Sequence, residues 1–326
     1  MISYKHLKPF LSKTIPSLLL LCALCGCASS RPEDTAVPAA IDSADIDTYT
    51  IAVPGLSRDY NLLFLTDSHI VLPDETTDEI RDYSASRLEH FTMEGPAPSS
   101  EFFAAWMDYA NQTRPDALLL AGDIIDSPSP ANVEYLASAF EKLEIPYLYA
   151  MGNHDWTYPW EYMSETGENE FRPLLAPFMQ GNTAIHSLEL EELILVAVDN
   201  SNNQIHPDAL EEYKDILSIG KPVILLLHVP FYTESLLAET SKVWPNSVVL
   251  GGGVHGGFYP NDVSAQFMSL TTAADSPVAA VLAGHVHFSH ESMLDGEKQI
   301  PQIVGDAGYK GKGTAIHIVD ASDARQ

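Results

Sequence analysis

The sequence predicts an α/β protein. Seven short apolar runs rich in Leu, Val or Ile recur along the chain, and segments with helical patterning lie between them. Five of the apolar runs stop in Asp, His or Asn, which ties the fold to chemistry. The strands are expected at 61–66, 116–121, 146–151, 193–198, 222–227, 278–283 and 314–319, as short runs suited to burial on both faces. Helices are expected at 99–113, 131–143, 207–217 and 262–274. Pro130, Pro207 and Asp262 stand where helix starts favour them.

Composition bounds the function. The chain has 326 residues, 45% hydrophobic and 19% charged, enough to bury a large core. With no internal repeat and no second break in composition, one domain is expected. The balance of 17 Lys and Arg against 45 Asp and Glu gives a formal charge of −28. That argues against nucleic-acid binding and against attachment to anionic membranes by basic patches. The three cysteines, Cys22, Cys25 and Cys27, all lie near the N-terminus, which excludes a disulfide scaffold.

The N-terminus reads as an address. Lys5, Lys8 and Lys13 precede a short apolar stretch around Leu18 to Leu24, the pattern of a secretory signal and too short to span a bilayer. Leu24-Cys25-Gly26-Cys27 resembles the lipobox of bacterial lipoproteins, which implies cleavage after residue 26 and acylation of Cys27. An exported protein, lipid-anchored in the bacterial cell envelope, is therefore expected. Cys22 and Cys25 have redox-pair spacing but fall inside the removed segment. Cleavage takes three lysines and no acid, so the mature charge is about −31. Residues 27–58 read as an acidic, polar tether followed by a leading strand, 59–320 as the folded body and 321–326 as a tail.

The chemistry sits at the C-terminal ends of the strands. Leu62 to Leu65 run into Asp67-Ser-His69, and Leu118 to Ala121 into Gly122-Asp123-Ile-Ile-Asp126. Tyr147 to Met151 run into Gly152-Asn153-His154-Asp155, Val223 to Leu227 into His228, and Val278 to Ala283 into Gly284-His285-Val-His287. Open α/β sheets bind ligands at these ends, so residues far apart in sequence are expected to converge. In extended backbone, residues two apart share a side, which sends Asp67 with His69, and His285 with His287, into one pocket. Gly122, Gly152 and Gly284 mark sharp turns or close approaches. Imidazole and carboxylate donors without thiolate suit Zn, Fe or Mn. Seven candidate ligands, Asp67, His69, Asp123, Asn153, His228, His285 and His287, exceed the needs of one tetrahedral ion. Two ions sharing a carboxylate are expected.

These five elements, in this order, resemble the calcineurin-like metallophosphoesterases across nearly the whole body. The resemblance implies two packed mixed sheets flanked by helices, in four layers. It implies that Asp67, His69, Asp123 and His287 hold one metal, and that Asp123 (bridging), Asn153, His228 and His285 hold the other. His154 would be the catalytic histidine, with Asp155 orienting it. Purple acid phosphatases carry a metal-binding tyrosine where this chain has Asp126, so Asp126 is expected behind the ligands.

Hydrolysis of a small phosphorylated substrate, phosphomonoester or phosphodiester, follows as the expected reaction. Two ions about 3.5–4 Å apart would lower the pKa of a bridging water and clamp the phosphoryl oxygens. The rival is a metal-binding or interaction lipoprotein that has kept the fold without turnover. The segment 73–98 reads as a surface insertion near the site mouth, either a wall shaping substrate access or a solvated helix and loop. His255, in a glycine-rich loop, is a weaker candidate for substrate contact. The loop bearing Tyr309, Lys310 and Lys312 reads as a tight turn, since it lacks the context of a P-loop. His290 and Asp199 are read as structural, and His186, His206 and His317 belong to no constellation.

Overall fold

The computed structural model describes residues 41–94 and 97–322. The expected signal segment, Cys27, the expected tether up to residue 40 and residues 323–326 lie outside the described residues. The strands are Ile46–Val53 (β1), Tyr60–Leu65 (β2), Ala117–Ala121 (β3), Tyr147–Ala150 (β4), Ile185–Glu189 (β5), Ile194–Val198 (β6), Val223–Leu226 (β7), Val278–Ala283 (β8), His290–Leu294 (β9), Ile300–Val304 (β10) and Gly313–Asp320 (β11). The helices are Asp78–Glu94 (α1), Ser99–Thr113 (α2), Pro130–Glu141 (α3), Asn153–Trp156 (α4), Glu165–Glu170 (α5), Arg172–Leu175 (α6), Ala209–Ser218 (α7), Glu234–Val243 (α8) and Asp262–Thr271 (α9).

All seven predicted strands form, each within a residue or two of its expected ends, and the four predicted helices form with ends displaced by at most three residues. The strands make two mixed sheets, ordered β1-β11-β2-β3-β4 and β5-β6-β7-β8-β10-β9. Strand periodicity assigns each side chain to a layer. Leu62 and Phe64 of β2 face the second sheet, meeting Leu195, Ala197, Ile224, Leu226 and Leu282 in a shared core. Leu63 and Leu65 face outward, onto Phe103, Trp106, Met107 and Ala110 of α2 and Leu136 of α3. On the far side, Val196, Val198 and Leu225 pack against Tyr213 of α7 and Phe267 of α9. Two sheets between two helical layers follow, and burial on both faces explains why the strands read as continuous apolar runs.

The folded body begins earlier than residue 59. β1 lies inside the segment assigned to the tether and leading strand, and it pairs in parallel with β11 from Ile46 opposite Gly313 to Val53 opposite Asp320. β9 and β10 escape sequence reading because they break the apolar pattern. β9 opens with the polar run His290, Glu291 and Ser292 and has only Met293 and Leu294 as apolar residues, and β10 contains Pro301 and Gln302. Gln302 is tolerated in the core because its amide both accepts from Phe231 N–H and donates to Phe231 C=O, at 2.8 Å each.

Candidate metal centre

The centre forms where strands of both sheets end. Asp67 and His69 follow β2, Asp123 follows β3, and Asn153 and His154 open α4 after β4. From the other sheet, His228 follows β7, and His285 and His287 follow β8. The chain reaches these positions in a left-handed backbone. Among the described residues nine non-glycine residues have positive φ, and Asp67 (50°), His69 (41°), Asp123 (50°), His285 (73°) and His287 (61°) are five of them. Such conformations are costly for residues with a Cβ and tend to gather at functional sites. Left-handed turns, not an extended strand, therefore give the paired residues their common side. Gly122 permits the close approach of the two sheets' loops. At its φ of +82° a Cβ would lie 2.6 Å from both Gly152 N and His228 Nδ1.

Hydrogen bonds aim the donor atoms. Asp67 Oδ2 accepts from Thr66 Oγ1 at 2.7 Å and from His285 N–H at 2.9 Å, leaving Oδ1 buried without a partner. That oxygen lies 3.3 Å from His287 Nε2 and 4.0 Å from His69 Nε2. His228 Nδ1 faces Ala121 C=O at 2.8 Å, which turns its Nε2 toward Asp123 Oδ2 at 3.2 Å, Asn153 Oδ1 at 3.2 Å and His285 Nδ1 at 3.0 Å. On the opposite side, His69 Nε2 lies 3.1 Å from His287 Nε2 and 3.8 Å from Asp123 Oδ2. Asp67, His69 and His287 thus make one ligand group and Asp123, His228 and His285 a second. Asp123 Oδ2 looks toward both.

This donor set fits cations. Acceptor oxygens and imidazole nitrogens crowd one another at 3.0–3.3 Å, and the buried Asp67 Oδ1 makes no hydrogen bond within the protein. Burial works against the charged form of His228, yet the Asp123 carboxylate beside it outweighs this and raises the imidazole to about 9. Burial and the neighbouring His228 push His285 down to about 3, leaving a neutral ring. Burial also opposes ionisation of Asp67, but His287 beside it holds the carboxyl at about 2.

The structure separates the two acids flanking His154. Asp155 does not orient that histidine. It is the third residue of α4, and its carboxylate accepts the N–H groups of Gly152 (2.6 Å), Asp123 (3.0 Å), Ile124 (2.8 Å) and Ile125 (3.1 Å). Neighbouring positions on a helix diverge by about 100°, so Asp155 ties the loops together from beneath while His154 faces the cavity. The partner of His154 is Asp126, whose Oδ1 lies 3.3 Å from Nδ1 and whose C=O lies 3.2 Å from it. Asp126 also takes His69 Nδ1 at 2.9 Å. Burial lowers the proton affinity of His154, but Asp123 and Asp126 reverse this and raise it to about 9.

A cavity of about 600 Å³ opens onto His69, His154 and His287. Its other walls include Phe91, Trp244, Phe288 and Tyr309, with Arg87 and Lys310. Sequence reading missed most of these. The loop holding Lys310 is a turn, Gly308–Lys310 followed by Gly311 at φ +81°. It is also pinned to the centre by Gly308 N–H to Thr66 C=O, Tyr309 N–H to Asp67 C=O and Lys310 Nζ to His287 C=O at 2.6 Å. Lys312 instead reaches Asp45. His255 is exposed and stacks on Tyr232, and it is not among the cavity walls. Asp199 pairs with Arg172 in a buried ion pair.

The calcineurin-like phosphoesterase family model matches residues 60–289, more than half of the chain. The chain belongs to that family, the metallophosphoesterases. A curated relative, a "Probable cyclic nucleotide phosphodiesterase" of Moraxella catarrhalis (strain BBH18), is 36% identical over 64 residues, which are 20% of this chain and 23% of that protein. The match thus spans less than a quarter of the relative's length. Among solved structures, a dimetal phosphatase from Danio rerio is 11% identical, covering 77% of this chain and 88% of its own, with a TM-score of 0.48. A purple acid phosphatase from yellow lupin (Lupinus luteus) seeds is 11% identical, covering 81% of this chain and 46% of its own, with a TM-score of 0.47.

Proposed function

We propose that this protein hydrolyses phosphate esters with two transition-metal ions, drawn from Mn, Fe and Zn, and with His154 as proton donor. Asp67, His69, Asp123 and His287 would hold one ion, and Asp123, Asn153, His228 and His285 the other. The observation that carries the reading is Asp123 Oδ2, a single carboxylate oxygen turned toward both histidine groups. Bound ions would neutralise the phosphoryl oxygens and acidify a water for in-line attack. His154 turns Nδ1 to Asp126, which leaves Nε2 for the ester oxygen. As the water oxygen bonds to phosphorus, the P–O bond to the alcohol breaks, and Nε2 supplies the proton that the departing oxygen takes. Solvent then returns a proton to the ring, which is open enough for this at 31% side-chain exposure.

The walls favour an organic ester. Trp244 and Phe288 are half-buried beside His287, and offer a flat apolar surface to whatever the phosphate carries. Phosphodiesters, cyclic nucleotides among them, are natural members of the test panel given the name of the curated relative. The N-terminal pattern supports export and a lipid anchor on Cys27 in the bacterial cell envelope, with the membrane as partner through that lipid.

The test is turnover by the full chain, purified in detergent after metal analysis, on aryl monoesters, aryl diesters and cyclic nucleotides with Mn²⁺ or Zn²⁺. Turnover that a chelator abolishes and added ion restores is expected. A protein that holds metal but hydrolyses nothing on the panel overturns the reading. Mass spectrometry of the N-terminal peptide checks the anchor, with acylated Cys27 expected and an intact Met1 against it.

A further inference from the structure

We infer that helix α1 belongs to the catalytic apparatus, with Arg87 and Tyr83 as positioning residues that act on His154 through Asp126. The inference rests on the reading of His154 as proton donor and goes beyond it, because α1 lies in the segment between the first two motif elements. Asp126 is fully buried, and its carboxylate is crowded with donors. Oδ2 accepts from Tyr83 OH at 2.9 Å and Arg87 Nε at 2.7 Å. Oδ1 accepts from Arg87 Nη2 at 2.8 Å, meets His69 Nδ1 at 2.9 Å and faces His154 Nδ1 at 3.3 Å.

The geometry gives each contact a task. A guanidinium that grips both oxygens fixes the plane of a carboxylate as well as its position. His69 and His154 both address Oδ1, so any rotation of that plane would move the anchor of both rings at once. Arg87, bonded to both oxygens, and Tyr83, bonded to Oδ2, hold the plane still. The same helix face continues the job, since Tyr83, Arg87 and Phe91 stand four residues apart and align on one side. Phe91 stacks on the His69 ring at 4.9 Å, and the Arg87 guanidinium lies 4.7 Å from the centre of the Phe91 ring. Core packing alone does not call for an arginine here. Its side chain remains 26% exposed while its partner is wholly buried.

Arg87→Gln, Arg87→Lys and Tyr83→Phe in the full-length, metal-loaded protein test this. For Arg87→Gln, kcat on alkyl phosphate esters is expected to fall about 10–100-fold, with KM nearly unchanged. The loss is expected to shrink on nitrophenyl esters, whose departing oxygen needs little protonation. Arg87→Lys should restore part of the loss, and Tyr83→Phe should show the same leaving-group trend more weakly. Both ions should stay bound, and the ring-nitrogen NMR signals of His154 should move. An unchanged kcat overturns the inference, as does an equal loss on alkyl and aryl esters accompanied by loss of metal. Should the wild type hydrolyse no ester, the proposed function fails separately. Unmoved His154 signals in Arg87→Gln would then reject the positioning role by themselves.

Discussion

Asp123→Asn perturbs the centre at the oxygen that faces both ligand groups. The substitution keeps the side chain's shape, and its Oδ1 can still accept the His154 N–H that Asp123 accepts at 2.7 Å. An NH₂ group then replaces Oδ2, 3.2 Å from His228 Nε2 and 3.8 Å from His69 Nε2. The substitution removes the carboxylate that favours a charged His228, and with Nδ1–H spent on Ala121 C=O the neutral ring presents a lone pair at Nε2, to which the new amide donates. One ligand is lost to both groups, and a second is capped by a hydrogen bond. An ion present at a thousand times its Kd stabilises the folded chain by about 4 kcal/mol. In a body of this size, each kcal/mol moves Tm by about 2–4 °C. Each occupied site therefore adds about 8–16 °C to the wild type, and Asp123→Asn is expected to forfeit that gain at one site or both. Turnover should drop by at least about 100-fold, near 3 kcal/mol of barrier. Thermal melting with and without Mn²⁺, elemental analysis and turnover together decide the matter. A variant that keeps two ions, the full melting shift and wild-type rate would refute the bridging role.

Three further outcomes are expected. His154→Ala should keep its metals but lose about 10²–10⁴-fold in kcat, which metal analysis beside steady-state kinetics will check. Asp199→Ala leaves Arg172 charged and buried against Trp156, so it should cost about 3–5 kcal/mol and lower Tm by about 6–20 °C. Its test is urea unfolding, in which Arg172→Met with Asp199→Leu recovers most of the loss; a single variant within about 1 kcal/mol of wild type contradicts the pair's role. His186 is buried with both ring nitrogens unpartnered, and burial pushes it down to about 4, below the ordinary 6.5. The unfolded chain takes up this proton first, so stability falls as pH drops from about 6.5 to 4, by about 3 kcal/mol in all. His186→Phe should remove that share of the acid loss, and parallel stability curves for variant and wild type would rule it out.

Much of the fold was legible because its central strands are buried on both faces, where the chain is forced into uninterrupted apolar runs. β9 and β10 were not, since an edge strand that opens with His290, Glu291 and Ser292 and a strand containing Pro301 and Gln302 send no such signal. The polar ends of the runs were equally plain, and they named the ligand types from residue chemistry alone. Neighbours in sequence misled at one point. Asp155 adjoins His154 in the chain, yet helix geometry turns it toward Gly152 N–H, and Asp126 takes the place beside the imidazole. The segment 73–98 was open to two readings because a polar helix on its own says nothing about what it touches. The spacing of Tyr83, Arg87 and Phe91 was present, but its meaning depends on Asp126 lying across from it.

By itself, then, the sequence determined the α/β class, the donor types and the order in which they occur, since these follow from side-chain hydrophobicity and coordination chemistry. Only the tertiary structure decided which nitrogen or oxygen of each donor faces the centre, which acid serves His154 and which helix stands behind that acid. Those are relations across space, set by left-handed turns and hydrogen bonds between strand ends that meet only when the two sheets pack.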